Sequence, residues 1–196
     1  LGLGDIGPKA GLPVMEGKAL LYKYLGGVDG VALTLDTKDP DVIINTVKLL
    51  QPALGGVNLE DIAQPKCFRI LDTLREQCEI PIWHDDQQGT ATVILAGLMN
   101  AFKIVGKNPK SSLITLVGAG SANLRTAYVL IKWGIKPGNI LMVDTKGIIY
   151  PGRKDLTKEE DPWKYELAQK TNAEHRTGDL ADSLKGVDAV VAASTP

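Results

Sequence analysis

The sequence predicts an α/β protein built from two consecutive units, each with a parallel sheet and each only partly contained in this chain. Short apolar segments alternate with helical segments along the sequence, an order that gives parallel strands with right-handed crossovers. A glycine-rich turn, Gly118-Ala-Gly120, stands between a predicted strand and a predicted helix. The composition, 44% hydrophobic and 23% charged, is that of an ordinary globular protein.

The first unit, residues 1–90, is predicted to contain strands and helices in the order βαβαβ. Asp39 and Pro40 are typical of a helix start, with aspartate as the N-cap and proline in the first position. Pro65 is expected to open a second helix. Strands are predicted over residues 31–35, 52–57 and 80–84. Functional residues then belong at the carboxyl ends of these strands.

The second unit, residues 91–196, is predicted to be the first half of a Rossmann-type dinucleotide-binding domain. A long apolar helix over residues 90–105 comes before it, and we place the domain boundary near that helix. The glycine-rich turn is followed by a helix to Trp133, a polar loop and two short helices. Its strands are predicted over residues 113–117, 139–143 and 189–193.

Charge and hydropathy exclude two classes of partner. The chain has 22 lysines and arginines against 23 acidic residues, a net charge of -1 and no run of five like charges. A protein that binds nucleic acid by releasing counterions needs a basic stripe, so we expect no nucleic-acid partner. The longest apolar stretches, such as residues 189–193, are far below the roughly 20 residues of a membrane helix, so we expect no membrane partner either.

The two cysteines and the chain ends give further expectations. Cys67 and Cys78 fall in one predicted helix, about 16 Å apart along its axis, and so cannot form a disulfide with each other. Free thiols and the lack of a secretory signal favour a cytoplasmic location. Leu1 lies within a glycine-rich loop and Pro196 closely follows a predicted strand, so we expect a piece of a longer chain.

Acidic residues follow two predicted strands. Glu60 and Asp61 come just after the second strand, and Asp85 and Asp86 come directly after the third. Parallel strands bring these side chains to one edge of the sheet, where carboxylates repel each other unless they are protonated, paired or bound to a metal. Oxygen ligands favour Mg²⁺ or Mn²⁺ over zinc. The alternative is that Glu60 and Asp61 are ordinary acids at a helix start.

The run Ile82-Trp-His-Asp-Asp-Gln-Gln-Gly-Thr-Ala91 closely resembles the metal-site signature of malic enzymes with the smaller, bacterial-type subunit. Three other segments are similar to the same family. Leu1–Gly7 together with Gly11–Lys18 resembles the family's active-site glycine loop. Asn58–Ile62 resembles its carboxylate pair, and Gly118-Ala-Gly120 resembles its dinucleotide turn. The resemblance covers essentially the whole chain. It is specific as a set, although each glycine motif alone is weak.

The resemblance implies metal-dependent oxidation and decarboxylation of L-malate to pyruvate and CO2, with reduction of NAD or NADP. It implies Glu60, Asp61 and Asp86 as ligands of Mg²⁺ or Mn²⁺ and Lys18 as a catalytic base of lowered pKa, oriented by Asp85. The family's catalytic tyrosine and substrate asparagine are expected outside this chain, and we take Tyr22 and Tyr24 as packing residues. A homo-oligomer, a dimer or tetramer, is also expected from the resemblance.

The glycine turn is the predicted cofactor site, because backbone N–H groups at a helix start can face a pyrophosphate. Asn123 departs from the pattern, which has a small residue there. Either the helix shifts slightly or the asparagine amide finds a local backbone partner. The residues predicted to bind the cofactor at this turn are Gly118, Ala119, Gly120, Ser121 and Ala122.

Asp144 ends the next strand, where an acid commonly holds the ribose 2′-hydroxyl of NAD. Hydroxyl and cationic side chains follow it and suit a 2′-phosphate, and Asp144-Thr-Lys146 is similar to the branch of the family that uses NADP. The alternative is a solvated basic loop. We lean slightly to NADP. The hydroxyl and cationic residues that would meet a 2′-phosphate are Thr145, Lys146, Arg153 and Lys154. Near the nicotinamide of the cofactor we expect Thr90, Ser194 and Thr195.

Three other functions remain open at the level of sequence. A malolactic enzyme would share every residue named above but release lactate without net reduction of the cofactor. A non-catalytic nucleotide-sensing module would keep the fold and lose the chemistry, but it would not need the acidic cluster. A relative of the amino-acid or methylene-tetrahydrofolate dehydrogenases would have similar βαβ halves and need no metal.

Overall fold

The computed structural model describes residues 4–194, which form two compact units with the division between Asp85 and Asp86. Our prediction placed the boundary after residue 90. Asp85 is the first residue of a single wide helical turn, a π-helix over Asp85–Gly89, that leads directly into the long helix after it. Thr195, one of the residues predicted near the nicotinamide, lies outside the described residues.

The first unit contains three helices and a two-stranded parallel sheet. In chain order these are α1 Pro8–Gly26, α2 Pro40–Leu50, β1 Val57–Leu59, α3 Lys66–Gln77 and β2 Ile82–His84. Helix α2 begins as predicted, with the Asp39 carboxylate accepting a hydrogen bond from the Asp41 N–H and Pro40 in the first position. Its C-terminal end leads into a short 3₁₀ turn at Gln51–Ala53.

The core of this unit lies between α2, α3 and the sheet. Each of its larger aliphatic side chains contributes about 1.5–3 kcal/mol when fully buried. This packing holds β1 and β2 side by side, with Leu59 opposite His84 at their carboxyl ends, so the residue that follows each strand emerges at the same edge. The buried core residues are Ile43, Ile44, Val47, Leu59, Ile70, Leu71, Leu74 and Ile82.

The predicted strand over residues 31–35 is wrong, and the prediction for residues 52–57 is mostly wrong. Residues 31–35 do keep alternating exposure, but their larger apolar side chains are outward, with Val31 71% and Leu33 50% exposed. No neighbouring strand in the described range 4–194 pairs with this segment, and a strand requires such a ladder. Residues 51–53 form the 3₁₀ turn instead, and β1 begins only at Val57.

The second unit is the predicted Rossmann-type half-domain. It contains α4 Thr90–Val105, β3 Ile114–Val117, α5 Ser121–Trp133, β4 Ile140–Asp144, β5 Gly147–Ile148, α6 Pro162–Lys170, α7 Leu180–Ser183 and β6 Ala189–Ala192. The sheet order is β5-β4-β3-β6, with β3 parallel to both β4 and β6. The short antiparallel strand β5 was not predicted, because a two-residue strand has no periodicity to detect.

The helix that runs through the division is long and apolar. It spans 21 residues, from Asp85 to Val105. Its most apolar 18-residue stretch has a mean hydropathy of 1.2, and 11% of that stretch is buried. Length and composition alone would allow it to cross a membrane, which the sequence prediction did not anticipate. One such helix is weak evidence, because apolar helices that other parts of a protein cover have the same composition.

Candidate functional site

The carboxyl ends of β1 and β2 bring two acidic side chains to one lysine. Glu60 follows β1 and Asp85 follows β2. Lys18 Nζ, from α1, lies 2.7 Å from Asp85 Oδ2 and 3.1 Å from Glu60 Oε2. Glu60 Oε2 also accepts a hydrogen bond of 3.2 Å from the Asn58 side-chain amide. Asn58 was not singled out in the sequence, although it stands in β1 two residues before Glu60.

Burial and charge perturb both partners in this cluster. Burial raises the pKa of Glu60, whose side chain is 8% exposed, and the nearby Asp85 charge adds to that effect while Lys18 opposes it. Burial lowers the pKa of Lys18, but the hydrogen bonds to Asp85 and Glu60 outweigh it, so the pKa of Lys18 is raised. The expected lowered pKa is therefore not found in this arrangement, because two carboxylates stabilise the ammonium form.

The three predicted ligand acids lie together. Glu60, Asp61 and Asp86 each offer one carboxylate oxygen, and these oxygens lie within 4.8 Å of one another. Asp61 has a φ of 52°, a left-handed conformation that costs a non-glycine residue about 1–2 kcal/mol, and such strain is typical of functional positions. The donor set is entirely carboxylate oxygen, which fits Mg²⁺ or Mn²⁺.

A contact that the sequence did not reveal ties the glycine loop to the segment after β1. The Asp5 carboxylate accepts a 3.0 Å hydrogen bond from the Ala63 N–H and pairs at 2.5 Å with Lys66. Burial would raise the pKa of Asp5, but these contacts dominate and lower it. The spacing of 58 residues between Asp5 and Ala63 explains why no local pattern could predict this bond.

The predicted packing role of Tyr22 and Tyr24 is wrong for the described chain. Tyr24 is 81% and Tyr22 is 42% exposed. Tyr22 stands one helical turn after Lys18. Partial burial raises its pKa, and the neighbouring Asp85 charge raises it further. Tyr22 therefore lies within electrostatic reach of the Lys18 cluster and not in the core.

The glycine turn of the second unit has the geometry that its sequence requires. Gly118 has a φ of 93°, and a Cβ there would lie 2.6 Å from the Ala193 carbonyl oxygen, so no larger residue fits without a backbone shift. The same Cβ would lie 3.0 Å from the Ser194 Cβ, which places Ser194 against the turn. Helix α5 begins at Ser121, immediately after Gly120, so its first N–H groups are the groups predicted to face a pyrophosphate.

The Asn123 amide finds local backbone partners, one of the two outcomes predicted for this unusual residue. Its Nδ2 donates hydrogen bonds of 2.8 Å to the carbonyl oxygens of both Val117 and Gly118. The side chain is fully buried. The end of β3 and the first glycine of the turn are thus held by a residue on α5.

The Asp144 carboxylate, at the end of β4, accepts hydrogen bonds from Arg153. Arg153 donates from Nη1 at 2.9 Å and from Nη2 at 2.5 Å to the two carboxylate oxygens. The Arg153 side chain is 8% exposed and the Asp144 side chain is 14% exposed. Burial would raise the pKa of Asp144, but the Arg153 hydrogen bonds and the Lys146 N–H bond hold it below its usual range. The alternative of a solvated basic loop is wrong for Arg153.

The other cationic and hydroxyl groups predicted near this strand end are exposed. Thr145, Lys146 and Lys154 are all on the surface, and Lys146 Nζ pairs with Asp155 at 3.1 Å. Asp155 also pairs with Arg153 at 2.8 Å. Thr90, the remaining predicted cofactor residue, is the first residue of α4.

Comparison with known proteins identifies the family. Residues 87–195 match the family model described as "Malic enzyme, NAD binding domain", and residues 1–41 match "Malic enzyme, N-terminal domain". The chain belongs to the malic enzyme family. The structural division after Asp85 thus lies beside the start of the family's NAD-binding domain.

Individual malic enzymes are similar over the whole chain. An NAD-dependent malic enzyme of Geobacillus stearothermophilus is 47% identical over 100% of this chain and 40% of its own length, and a bifunctional malic/malolactic enzyme of Bacillus subtilis is 46% identical over 99% and 46%. A crystal structure of an NAD-dependent malic enzyme from Thermotoga maritima has a TM-score of 0.93 at 42% identity, covering 100% of this chain and 51% of that one. The chain therefore spans about half the length of these relatives or less.

The two family matches divide the predicted site residues. Lys18 lies within the N-terminal match, and the glycine turn with Asp144 lies within the NAD-binding match. The four acids Glu60, Asp61, Asp85 and Asp86 fall between the two matched segments, where the malic enzyme relatives still align across the full chain.

Proposed function

We propose that this chain carries the metal-binding and dinucleotide-binding part of an enzyme that oxidises L-malate and decarboxylates it to pyruvate and CO2 with reduction of NAD(P)⁺. The observation that carries the proposal is the contact of Lys18 with both Glu60 and Asp85. Glu60 also belongs to the carboxylate trio. A proton acceptor thus stands beside a cation site, the pair of groups that this reaction needs.

Glu60, Asp61 and Asp86 would hold Mg²⁺ or Mn²⁺. When bound, the cation supplies Lewis acidity that eases deprotonation of the malate hydroxyl and stabilises the negative charge left by loss of CO2. Lys18 Nζ takes the hydroxyl proton as general base. Asp85, at 2.7 Å, orients the amine and stabilises its protonated form.

Glu60 has two roles in this proposal, and they adjust Lys18. In the ion pair described above, Glu60 and Asp85 together raise the pKa of Lys18. Once the Glu60 charge is shared with a cation, its attraction for the Lys18 proton weakens. The pKa of Lys18 then falls relative to the ion pair, which makes a neutral amine more accessible.

The glycine turn and the start of α5 form the proposed pyrophosphate site. The bound nicotinamide dinucleotide supplies the acceptor for the hydride that leaves malate C2. The residues proposed to bind it are Gly118, Ala119, Gly120, Ser121 and Ala122 at the turn, Ser194 beside the turn, Thr90 near the nicotinamide, and Asp144, Thr145 and Lys146 at the adenosine ribose.

Within this site we favour NADP slightly over NAD. An acid that holds the ribose of NAD is most effective when its acceptor positions are open, whereas both oxygens of the Asp144 carboxylate already accept from Arg153. This pairing reduces the repulsion that a 2′-phosphate would meet at the end of β4. Lys154 is exposed and available to such a phosphate, and Lys146, although paired with Asp155, is exposed as well. Relatives that are 42% and 47% identical include an NADP-dependent and an NAD-dependent malic enzyme, respectively.

The direct test follows reduced cofactor by absorbance in the full-length protein with L-malate, Mn²⁺ or EDTA, and NAD⁺ or NADP⁺. We expect reduction that requires the metal, is faster with NADP⁺, and yields pyruvate. Glu60→Gln should abolish it. Glu76→Gln, which changes an exposed acid of the same unit, should leave it unchanged.

The alternatives give different results in the same experiment. Lactate without net cofactor reduction would replace the proposal with a malolactic enzyme, a possibility that the bifunctional Bacillus relative makes specific. Reduction that persists in EDTA would favour a metal-independent dehydrogenase. A nucleotide-sensing module would produce neither pyruvate nor lactate, and Mn²⁺ would fail to raise its melting temperature, because a native state that binds no metal gains no stability from it.

A cytoplasmic homo-oligomer completes the proposal. Both cysteines are free, with Cys67 buried and Cys78 partly buried, which suits a reducing compartment. Oligomer formation rests on the family resemblance alone. Light scattering of the full-length protein should give the mass of a dimer or tetramer, and the mass of one chain would contradict this part of the proposal.

A further inference from the structure

Asn123 occupies the position in the dinucleotide turn where the common pattern has a small residue. It lies in the first turn of α5 and is fully buried. A buried amide that met no partner would be destabilising, so its presence here calls for a structural reason. The reason lies in the two peptide groups that its Nδ2 contacts.

The first of these peptide groups joins Val117 to Gly118, and it is held from both sides. The Val117 carbonyl accepts hydrogen bonds from Asn123 Nδ2 at 2.8 Å and from the Ala193 N–H at 3.0 Å. On the opposite side, the Gly118 N–H donates to the Val143 carbonyl at 2.8 Å. This peptide group is thus fixed between β4 and the end of β6.

The second peptide group joins Gly118 to Ala119 and has a different arrangement. The Gly118 carbonyl accepts from Asn123 Nδ2 at 2.8 Å. A trans peptide group is planar with its C=O and N–H directed oppositely, so the Ala119 N–H is directed away from Asn123. Within residues 4–194, no carbonyl accepts a backbone hydrogen bond from this N–H. It is therefore available to an acceptor other than these residues.

The turn itself would not fix this orientation. Gly118, at a φ of 93°, has access to conformations that other residues avoid, so the following peptide group could rotate. The Asn123 hydrogen bond selects one orientation before any ligand arrives. Selecting the bound conformation in advance reduces the ordering cost of binding.

We propose that Asn123 is a positioning residue of the cofactor site, whose amide directs the Ala119 N–H towards the pyrophosphate of NAD(P). The inference rests on the proposed function, because it assumes that a dinucleotide binds at this turn. Asn123 acts through the backbone and does not itself contact the cofactor.

The decisive variant is Asn123→Leu, which keeps a side chain of similar size but removes both donors. We expect the KM for NAD(P)⁺ and the Kd for ADP-ribose, measured by calorimetry, to rise about tenfold, the effect of losing one well-directed hydrogen bond to a charged group. The kcat should change less than about twofold, because the reacting atoms are untouched. Asn123→Ser, which keeps one donor, should give an intermediate KM.

The matched control is Thr126→Val on the same helix. Thr126 is also fully buried, and its hydroxyl donates to the Ala122 carbonyl at 2.8 Å within α5, not to the Val117 or Gly118 carbonyl that Asn123 contacts. It should lose stability in urea unfolding but keep the cofactor KM. Adenosine, which lacks the pyrophosphate, should bind the unaltered protein and Asn123→Leu equally well.

The outcomes separate this inference from the proposed function. If the unaltered protein binds ADP-ribose and the folded Leu variant binds it equally well, Asn123 is not a positioning residue. If the Leu variant does not fold, the Ser variant decides, and an unchanged KM would overturn the inference. If the unaltered protein binds neither NAD(P)⁺ nor ADP-ribose, the proposed function fails together with it.

Discussion

The strand ends of the two units both carry acids paired with a cation, but they differ in how many carboxylates that cation serves. After β1 and β2 come four carboxylates, and Lys18 pairs with two of them. After β4, Asp144 is held by both Nη atoms of Arg153, with Lys164 at 3.9 Å. In the first cluster one lysine is shared by two carboxylates, whereas in the second one guanidinium contacts both oxygens of a single carboxylate.

This difference favours ligands of opposite charge at the two strand ends, a cation in the first unit and an anion in the second. Carboxylates that lie close together are stabilised by a divalent cation. A carboxylate that is already engaged no longer repels an anion such as a phosphate. The exposure agrees, since Lys18 is 28% and Arg153 is 8% exposed. Lys18 is thus the more accessible of the two cations, as the proposed base must be, whereas Arg153 is almost fully enclosed.

Replacing Lys18 should give the largest effect, because it removes the proposed base from the acidic cluster of the first unit. Lys18→Met should lower kcat by about 10²–10⁴-fold, the usual contribution of general base catalysis, while Mn²⁺ binding persists. Steady-state kinetics with L-malate measures this. Lys23→Met, which removes an exposed lysine on the same helix that pairs with Asp29, should retain normal kcat.

A contrary result would change the role of Lys18. If Lys18→Met kept kcat within about threefold of the unaltered protein, a loss too small for general base catalysis, the lysine would only neutralise Glu60 and Asp85. The comparison between the two strand ends would then lose its functional meaning, because both cations would serve the protein.

Much of the fold was predictable because its signals are local. Asp39-Pro40 predicted the start of α2, and the glycine turn predicted the end of β3 and the start of α5. Residues 31–35 show the limit of such signals. Their alternation is real, but pairing depends on a second strand that periodicity cannot supply.

The candidate site was predictable only where residues follow strands. Glu60, Asp61, Asp85 and Asp86 were found because parallel strands end at one edge. Lys18 came from resemblance alone, since a helical lysine carries no signal of its own. The hydrogen bonds that Asp5 accepts from Ala63 and that Asp144 accepts from Arg153 depend on the path of the loops between these residues. No pattern of nearby residues encodes that path.

Replacing Arg153 should convert the compensated strand end into an uncompensated one. Arg153→Met leaves the largely buried Asp144 carboxylate without its bidentate partner, which should reduce the free energy of unfolding by about 3 kcal/mol. The bare carboxylate would repel a 2′-phosphate, so the KM for NADP⁺ should rise about tenfold more than that for NAD⁺. Urea unfolding and initial rates with each cofactor measure the two effects.

The control for this variant is Lys154→Met, at the neighbouring exposed position. It should leave stability within about 0.5 kcal/mol, as surface substitutions usually do. Equal changes in the KM for NADP⁺ and NAD⁺ in Arg153→Met would show that the pair stabilises the fold without contributing to cofactor choice.

The smallest expected effect is the pH dependence that comes from Asp144. Its pKa is lowered in the folded protein, because the Arg153 hydrogen bonds outweigh the opposing effect of burial. A carboxyl with a lowered folded pKa contributes stability above its unfolded pKa, about 3.9 for aspartate, and loses it as the pH falls through the folded pKa. The contribution is therefore complete at neutral pH.

Asp144→Asn should isolate this contribution. We expect the unaltered protein to exceed the variant by about 1.5 kcal/mol in unfolding free energy at pH 7, the size of one charged hydrogen bond. That excess should shrink as the pH falls below about 4. Urea unfolding at several pH values measures it, with Glu159→Gln as an exposed acid of the same unit. An excess that stays constant down to pH 3 would mean that Asp144 stabilises the β4 end by shape and not by charge, and the contrast with the acidic cluster of the first unit would no longer be electrostatic.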